Sequence, residues 1–592
     1  MQHHRLLSLA VCSALLTACG GGSEYGSPTG GSSPGLGRPA LPPVADVAAD
    51  PAASGSLELT STEYDFGRIT VTDEQTGSTY ETDVHGYITY PTTSDTPMPV
   101  LLFQHGRHQT CETGIGQLPI PVGDDNCPDL APIISPANSY RGYDYLVQNL
   151  ASHGYAVISI DANDINDNDG SPSAGDAGAL ARAELILTHL DAFRDINTEG
   201  GQGFDDLIGR LDFGHIGLMG HSRGGEGVNK TVSLNAARDE PHSLTAVFSL
   251  APTDYNAQDV TGVTWATLLP YCDGDVENLM GAFAFDAARD LAPGDDHPRF
   301  QILAMGANHN YFNTVWTSDD WTIHGTANDS HCGANADSNE RDDPEAQRAL
   351  GTFFMASFFR YFVGGETEFA DYWTGLADVP PTICPGGDTS GCPQRYLLSS
   401  WANADNRLPI DTTPMETALT TNALGGAITL DGFAAFEACT TDARDGTGCG
   451  NSEPTFTSTD QLLLQWTAGA TYTSDLGNLD ASDYHVLTIR AGVSIGDDAN
   501  LEGQDFAIAL SDTSGRVARV NASAFSAALF YPPGDEFDGG GSRKLVLSDL
   551  RIPLTAFGGI DFDHLRSLDL EFTLTAAGTV QITDIQFQRV TP

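Results

Sequence analysis

Hydrophobic positions fall along this chain in three patterns, and each predicts a different kind of structure. Between Val100 and Met305, continuous apolar runs recur at Val100–Phe103, Ala156–Ile160, Ile216–Met219, Ala246–Leu250, Thr267–Tyr271 and Phe300–Met305. Short runs without alternation mark parallel strands buried on both faces. Helical spacing separates several of them, most clearly at Leu180, Ala183, Leu187 and Leu190, and a last helix is expected from Pro344 to Phe362, opening on proline. Strand alternating with helix predicts an α/β fold, a mostly parallel sheet flanked by helices. Before it, the polar, β-rich stretch from Leu57 to Tyr90, broken at Asp73–Gly77, reads as antiparallel strands. Beyond Gly365 the period becomes two: Phe506, Ile508 and Leu510, and again Leu568, Leu570, Phe572 and Leu574, alternate with polar or small residues. That pattern predicts a C-terminal all-β unit, a jelly roll or sandwich with one buried face per sheet.

The third pattern is N-terminal. Leu6 to Leu16 is apolar but too short to span a bilayer, the length of a secretory signal core. Leu16-Thr17-Ala18-Cys19-Gly20 resembles the processing box of bacterial lipoproteins; the resemblance implies a lipid on Cys19, with an ordinary signal peptide as the alternative. Residues 20–55 are rich in Gly, Ser, Pro and Ala and read as a flexible tether. The expected organisation is thus signal 1–19, tether 20–55, α/β domain 56–365, linker 366–394 and β domain 395–592. The protein is expected to be exported, anchored to the cell envelope through Cys19 or released.

Composition narrows the partners. With 79 acidic and 27 basic residues the formal net charge is −52, and Lys230 and Lys544 are the only lysines. Such a field repels nucleic acid and other polyanions, and it suits a saline habitat. Setting aside Cys12 and Cys19 leaves eight of the ten cysteines, an even number in an exported chain. Sequence proximity suggests Cys111 with Cys127, Cys384 with Cys392 and Cys439 with Cys449, leaving Cys272 for Cys332, one of many possible pairings. No pair has CxxC spacing, which argues against a thiolate metal site.

The chemistry-bearing motif is Gly220-His221-Ser222-Arg223-Gly224, placed after the strand Ile216–Met219 and before a helix-compatible stretch. This is the G-x-S-x-G turn in which a strained serine is exposed and glycines remove clashing Cβ atoms; Gly225 and Gly227 extend the pattern. A serine hydroxyl needs a base oriented by a carboxylate, expected later in the chain, acid then base. Thr267–Tyr271 is followed by Cys272-Asp273-Gly274-Asp275, and Phe300–Met305 by Gly306-Ala307-Asn308-His309. The expected triad is Ser222, Asp275 and His309, with Asp273 as the alternative acid. The oxyanion is expected to meet the N–H of Arg223 and, from His105-Gly106-Arg107-His108, the N–H of Arg107. His105 and His108 lack a third ligand in view, so no metal is expected.

Together these residues resemble the α/β-hydrolase superfamily, nearest to dienelactone-hydrolase-like, chlorophyllase-like and polyester-hydrolase-like secreted enzymes, over roughly 56–365. The resemblance implies hydrolysis of a carboxylic ester, polymeric esters included, through an acyl-enzyme and without a cofactor. A peptidase or acyl transferase on the same fold, and a noncatalytic surface binding protein, are the alternatives. Cys272 departs from the glycine usual before the acid, and Glu226, close after the elbow, is expected to cap or salt-link. Asp161–Gly170 is expected to be a solvated acidic loop, with calcium binding as the lesser alternative. Tyr311, Phe312, Trp316 and Trp321 are expected either to line a substrate pocket or to be core. The C-terminal unit loosely resembles galactose-binding-like or carbohydrate-binding jelly rolls, with Trp466, Tyr472 or Tyr531 as candidate ligand contacts and a purely structural cap as the equal alternative.

Overall fold

All six apolar runs become adjacent parallel strands in the computed structural model, which describes residues 50–589 except 74–76, 114–133, 170–174, 293, 325–327, 335, 337–340, 375–376, 378–382, 384–394, 441–448 and 450–454. In chain order the first unit has β1 (Leu59–Thr72), β2 (Thr79–Pro91), β3 (Met98–Gln104), β4 (Cys111–Thr113), β5 (Ile134–Pro136), β6 (Ala156–Ile160), β7 (Leu211–His221), β8 (Leu244–Leu250), β9 (Thr264–Pro270), β10 (Arg299–Ala304) and β11 (Tyr396–Trp401). Its helices include α1 (Asp144–Ser152), α2 (Asn163–Asn168), α3 (Ala179–Glu199), α4 (Arg223–Ala236), α5 (Gly281–Leu291), α6 (Trp321–His324) and α7 (Pro344–Phe362). The main sheet has nine strands in the order β1-β2-β6-β3-β7-β8-β9-β10-β11. From β6 to β10 neighbours are parallel, and the antiparallel pairs lie at the two edges. The expected mixed architecture, a parallel centre opened by antiparallel strands, is present.

Burial on both faces explains the unbroken apolar runs. Leu101 and Phe103 of β3 pack with α1 and α7 through Leu146, Leu150, Phe358 and Phe359. Val100 and Leu102 point to the other face, against Leu185, Ile186 and Leu190 of α3 and Val228 of α4. Each such fully buried side chain contributes about 1.5–3 kcal/mol. The α7 helix begins where expected because Asp343 caps it, its side chain accepting from Glu345 N and Ala346 N, with Pro344 in the first turn and Arg360 in the last.

The domain boundary expected at residue 395 is displaced. Tyr396–Trp401 pairs antiparallel with β10, from Arg299↔Trp401 to Ala304↔Tyr396, and so belongs to the first sheet. A strand with both faces covered carries no mark of which sheet it joins, and the open edge of β10 takes it.

Beyond it lie two antiparallel sheets. One contains Arg407–Asp411, Ala435–Thr440, Asp460–Trp466, Val486–Val493, Ser548–Pro553 and Gly578–Gln588; the other contains Ile428–Asp431, Ala470–Leu479, Ala507–Asp512, Val517–Asn521 and Leu565–Phe572. They share one apolar core holding Ile508, Leu510, Leu568, Leu570 and Phe572, whereas Leu574 falls past the strand end and is exposed. Trp466 and Tyr472 are inside this core, with Tyr472 Oη donating to Asp411, and Tyr531 Oη donates to Ile495 O. Trp466 and Tyr472 are therefore packing residues, not exposed ligand contacts: their polar ends are satisfied inward.

A continuous interface joins the two units. Leu269, Tyr271, Phe283, Leu303 and Trp321 of the first cluster with Phe456 and Val546 of the second. Arg490 reaches Asp286 of α5 at 2.6 Å and Asp584 at 3.3 Å, all buried. Disulfides join Cys272 to Cys332 and Cys439 to Cys449, as read from the sequence. Cys111 is also disulfide-bonded, but Cys127, Cys384 and Cys392 lie outside the described residues, as do the expected signal, Cys19 and the expected tether up to residue 49. Among the described residues no helix is long and apolar enough to cross a membrane.

Candidate active site

The central parallel strand β7 ends at His221 and α4 begins at Arg223, which leaves Ser222 alone to turn the chain. Its φ of 58° and ψ of −125° lie in a region that costs a non-glycine residue about 1–3 kcal/mol. Backbone bonds hold it there: its N–H donates to Leu250 O at 2.9 Å, and its carbonyl accepts from Gly225 N at 2.8 Å and Thr253 N at 3.2 Å. The turn is possible only with glycine on either side. A Cβ at Gly220 would stand 2.0 Å from Gly224 O, and one at Gly106 would stand 2.5 Å from Ser222 Cβ. Gly106 thus lets the loop after β3 lie directly against the serine.

His309 follows β10, and its Nδ1–H donates to Asp273 Oδ2 at 2.8 Å, both side chains buried. Asp275, the acid expected from the sequence, sits elsewhere: its Oδ2 is 3.5 Å from His309 Nε2 and half of its side chain is exposed. The reason is the turn after β9. Asp273 Oδ1 accepts from Asp275 N at 2.9 Å and Val276 N at 2.6 Å, folding the chain so that Asp273 points inward and Asp275 outward. The imidazole's ring lies 4.9 Å from that of His221, the residue preceding Ser222. Burial pushes the His309 imidazolium down, but the charges of Asp273, Asp275 and Asp320 outweigh it and raise its pKa to about 9.

Asp320 is a group that motif reading missed. Its Oδ2 accepts from Gly274 N at 2.7 Å and His309 N at 3.1 Å, and its Oδ1 from Asn310 N at 3.0 Å. One buried carboxylate thereby joins the acid loop to the base loop. Burial and the neighbouring Asp273 push its own pKa up to about 6, while His309 and the amide donors pull the other way. Nothing in Thr317-Ser318-Asp319-Asp320 distinguishes it in sequence, since its partners are backbone amides of distant loops.

The two arginines named for their amides also meet through their side chains. Asp169, fully buried, receives Arg107 Nε at 2.7 Å, Arg223 Nη1 at 3.0 Å and Arg182 Nη2 at 2.6 Å. Asn166 adds an Nδ2–H bond to Gly106 O at 3.1 Å and accepts from Arg182 at 2.6 Å. Arg223 opens α4, where an amide has no intrahelical acceptor. The stretch expected as a solvated acidic loop is instead the α2 helix and its ends, with Asp164 on Asp83 N, Asp167 on Thr110 and Asp169 on three guanidiniums. Its carboxylates are consumed by internal partners that sequence spacing does not reveal.

His105 braces the same loop. Ala162 N donates to its Nε2 at 2.9 Å, which leaves Nδ1–H to donate to Gly106 O at 2.8 Å. Trp316 is buried between the rings of His108 and His221, at 4.7 and 4.9 Å, and Tyr143 Oη hydrogen-bonds His221 Nδ1 at 2.9 Å. Phe312, Trp316 and Trp321 are thus core, with Tyr311 part-buried. Glu226 accepts from Thr253 Oγ1 and Asn256 N, tying down the loop after β8.

Residues 133–314, which carry Ser222, Asp273, Asp275 and His309, match a family model described as PET hydrolase-like. Among curated proteins, the bis(hydroxyethyl) terephthalate hydrolase of Streptomyces coelicolor (strain ATCC BAA-471 / A3(2) / M145) is 33% identical over 131 residues, 22% of this chain and 34% of the relative. The aligned part spans about a third of that relative's length. Over this stretch the resemblance to polyester-hydrolase-like α/β-hydrolases read from the motifs holds.

Proposed function

We propose that this chain is an exported serine hydrolase that cleaves carboxylic esters through an acyl-enzyme, with Ser222 as nucleophile, His309 as base and Asp273 as the carboxylate that orients the imidazole. The observation that carries the reading is a strained serine at the end of β7, next in sequence to His221, whose ring lies 4.9 Å from that of a buried histidine with its Nδ1–H bound by a carboxylate at 2.8 Å. In the neutral imidazole, with the proton on Nδ1, the lone pair is on Nε2, which has no hydrogen-bond partner among the described residues. Nε2 takes the proton as Ser222 Oγ attacks the ester carbonyl, and Asp273 stabilises the imidazolium formed. The N–H groups of Arg107 and Arg223 receive the oxyanion. The imidazolium then protonates the leaving alcohol, and water, deprotonated by the same Nε2, releases the acid and the free serine.

The match to a PET hydrolase-like family and to a bis(hydroxyethyl) terephthalate hydrolase supports aromatic carboxylic esters, polymeric ones included, as the substrate class. The C-terminal unit serves as a brace, since Trp466 and Tyr472 are turned inward. Export with a lipid on Cys19 completes the proposal.

The test is Ser222→Ala assayed on p-nitrophenyl acetate and bis(hydroxyethyl) terephthalate, with fluorophosphonate labelling and mass mapping of the modified residue. A fall in kcat of about 10⁴-fold or more and loss of the label at Ser222 are expected. Retained hydrolysis by a folded Ser222→Ala protein overturns the reading.

A further inference from the structure

Lys544 is one of two lysines in the chain, and it belongs to the C-terminal unit, yet its ammonium ends inside the first unit beneath the acid loop. Nζ donates to the carbonyl oxygen of Glu277 at 2.8 Å, a neutral acceptor. Around it stand the rings of Tyr271, Phe537 and Trp321, with centroids at 5.4, 5.8 and 5.9 Å. The main chain is anchored at the same place: Lys544 N donates to Tyr271 Oη at 3.1 Å, and Tyr271 Oη donates to Pro533 O at 2.9 Å. Tyr271 and Glu277 bracket the segment that carries Asp273, and Trp321 follows Asp320, the carboxylate holding Gly274 N and His309 N.

A buried ammonium is an expensive way to fill this space. Methionine or leucine would pack against three rings without desolvating a charge. Burial does push the Lys544 pKa down, to about 8, while Asp273, Glu277 and Asp329 pull it back up, so the ammonium sits in the field of the triad carboxylate. Below about pH 8 the ammonium places a positive charge behind Asp273 and opposes part of the negative field around His309. The other side of the loop is tied to the same unit: Cys272 is bonded to Cys332, and Asp329, close by in the chain, accepts from Asp535 N and Ser542 N at 2.9 Å each.

We infer that Lys544 is a positioning residue of the active site, lent by the C-terminal unit to hold the turn that carries Asp273 and to supply the positive charge behind it. The inference rests on the hydrolase reading above and deepens it. The C-terminal unit is then part of the catalytic apparatus rather than an appended module.

The experiment compares Lys544→Gln, which keeps a donor for Glu277 O but loses the charge, with Lys544→Arg, which keeps the charge, in the full chain. Ser222→Ala is run alongside. The readouts are kcat, KM and the pH profile of kcat/KM on p-nitrophenyl acetate. For Lys544→Gln the expected result is a kcat lowered at least about tenfold with KM little changed and the acid limb left in place, because the wild-type lysine, with its pKa near 8, has already lost most of its charge where His309 titrates near 9. Lys544→Arg, still charged where His309 titrates, should keep kcat near its wild-type value and move the limb to lower pH. Should the glutamine variant not fold, the arginine variant alone decides: a limb moved upward overturns the inference. So does a folded Lys544→Gln protein with wild-type kcat, or an arginine variant as impaired as the glutamine one, which would mark a packing role. Hydrolysis surviving Ser222→Ala overturns both readings; loss there with wild-type behaviour of Lys544→Gln overturns this one alone.

Discussion

Two carboxylates reach one imidazole, and they do so from opposite ends of the ring. Asp273 is buried on Nδ1, where it fixes the tautomer and orientation; Asp275 is half-exposed near Nε2, the atom that takes the serine proton in the proposed mechanism. Both raise the His309 pKa, against burial, toward about 9, so the base is protonated at neutral pH and kcat/KM should climb as pH rises through that region. The two substitutions should therefore diverge. Asp273→Asn removes the orienting charge and lowers kcat by about 10⁴-fold. Asp275→Asn leaves the tautomer intact, weakens the raising field and moves the acid limb of kcat/KM to lower pH, with activity at pH 7 increased. Profiles of both variants on a soluble ester decide the matter, and an inactive Asp275→Asn protein would return Asp275 to the triad. Counting residues past the strand could not separate the two, because the choice is made by the amides of Asp275 and Val276 turning back onto Asp273.

At the scale of elements, the strands and helices whose residues face only the core were legible. Ala156–Ile160 and Pro344–Phe362 have the bounds their apolar patterns predict, because burial on both faces, or a proline and an aspartate at the first turn, is written locally. Elements whose role depends on distant partners were not. The acidic stretch around α2 reads as solvated until Arg107, Arg182 and Arg223 arrive from three other segments, and Tyr396–Trp401 reads as part of the second unit until β10 offers an edge. The α2 end bears on the loop after β3, since Asp169 holds the two arginines whose amides are proposed to meet the oxyanion. Asp169→Asn removes the anion from among three guanidiniums. Stability should fall by about 3–5 kcal/mol, the usual cost of leaving buried charge unpaired. Loosening of the loop should lower kcat by up to about 10²-fold, as misplacement by an ångström does. Urea unfolding and steady-state kinetics measure the two effects separately; unchanged kcat in the folded variant would detach this carboxylate from catalysis.

For the whole molecule, the interface between the two units is built like an interior. Apolar side chains from both sides form one cluster around Trp321, and Arg490 crosses to Asp286 with all three charged partners hidden from solvent. Units joined this way should unfold together. Circular dichroism follows the strands of both, whereas tryptophan fluorescence reports mainly on the first, which holds Trp265, Trp316, Trp321, Trp373 and Trp401 against Trp466 in the second. The two signals should trace one coincident urea transition. Arg490→Met leaves Asp286 and Asp584 buried without their shared cation, at a cost of about 3–5 kcal/mol. Because the acid loop leans on the same interface through Lys544 and Asp329, that loss should lower the midpoint of both signals by the same amount. Two independent modules would behave differently: the fluorescence midpoint would stay where it is in the wild type while the circular dichroism trace split in two, and the second unit would then have no part in holding the triad.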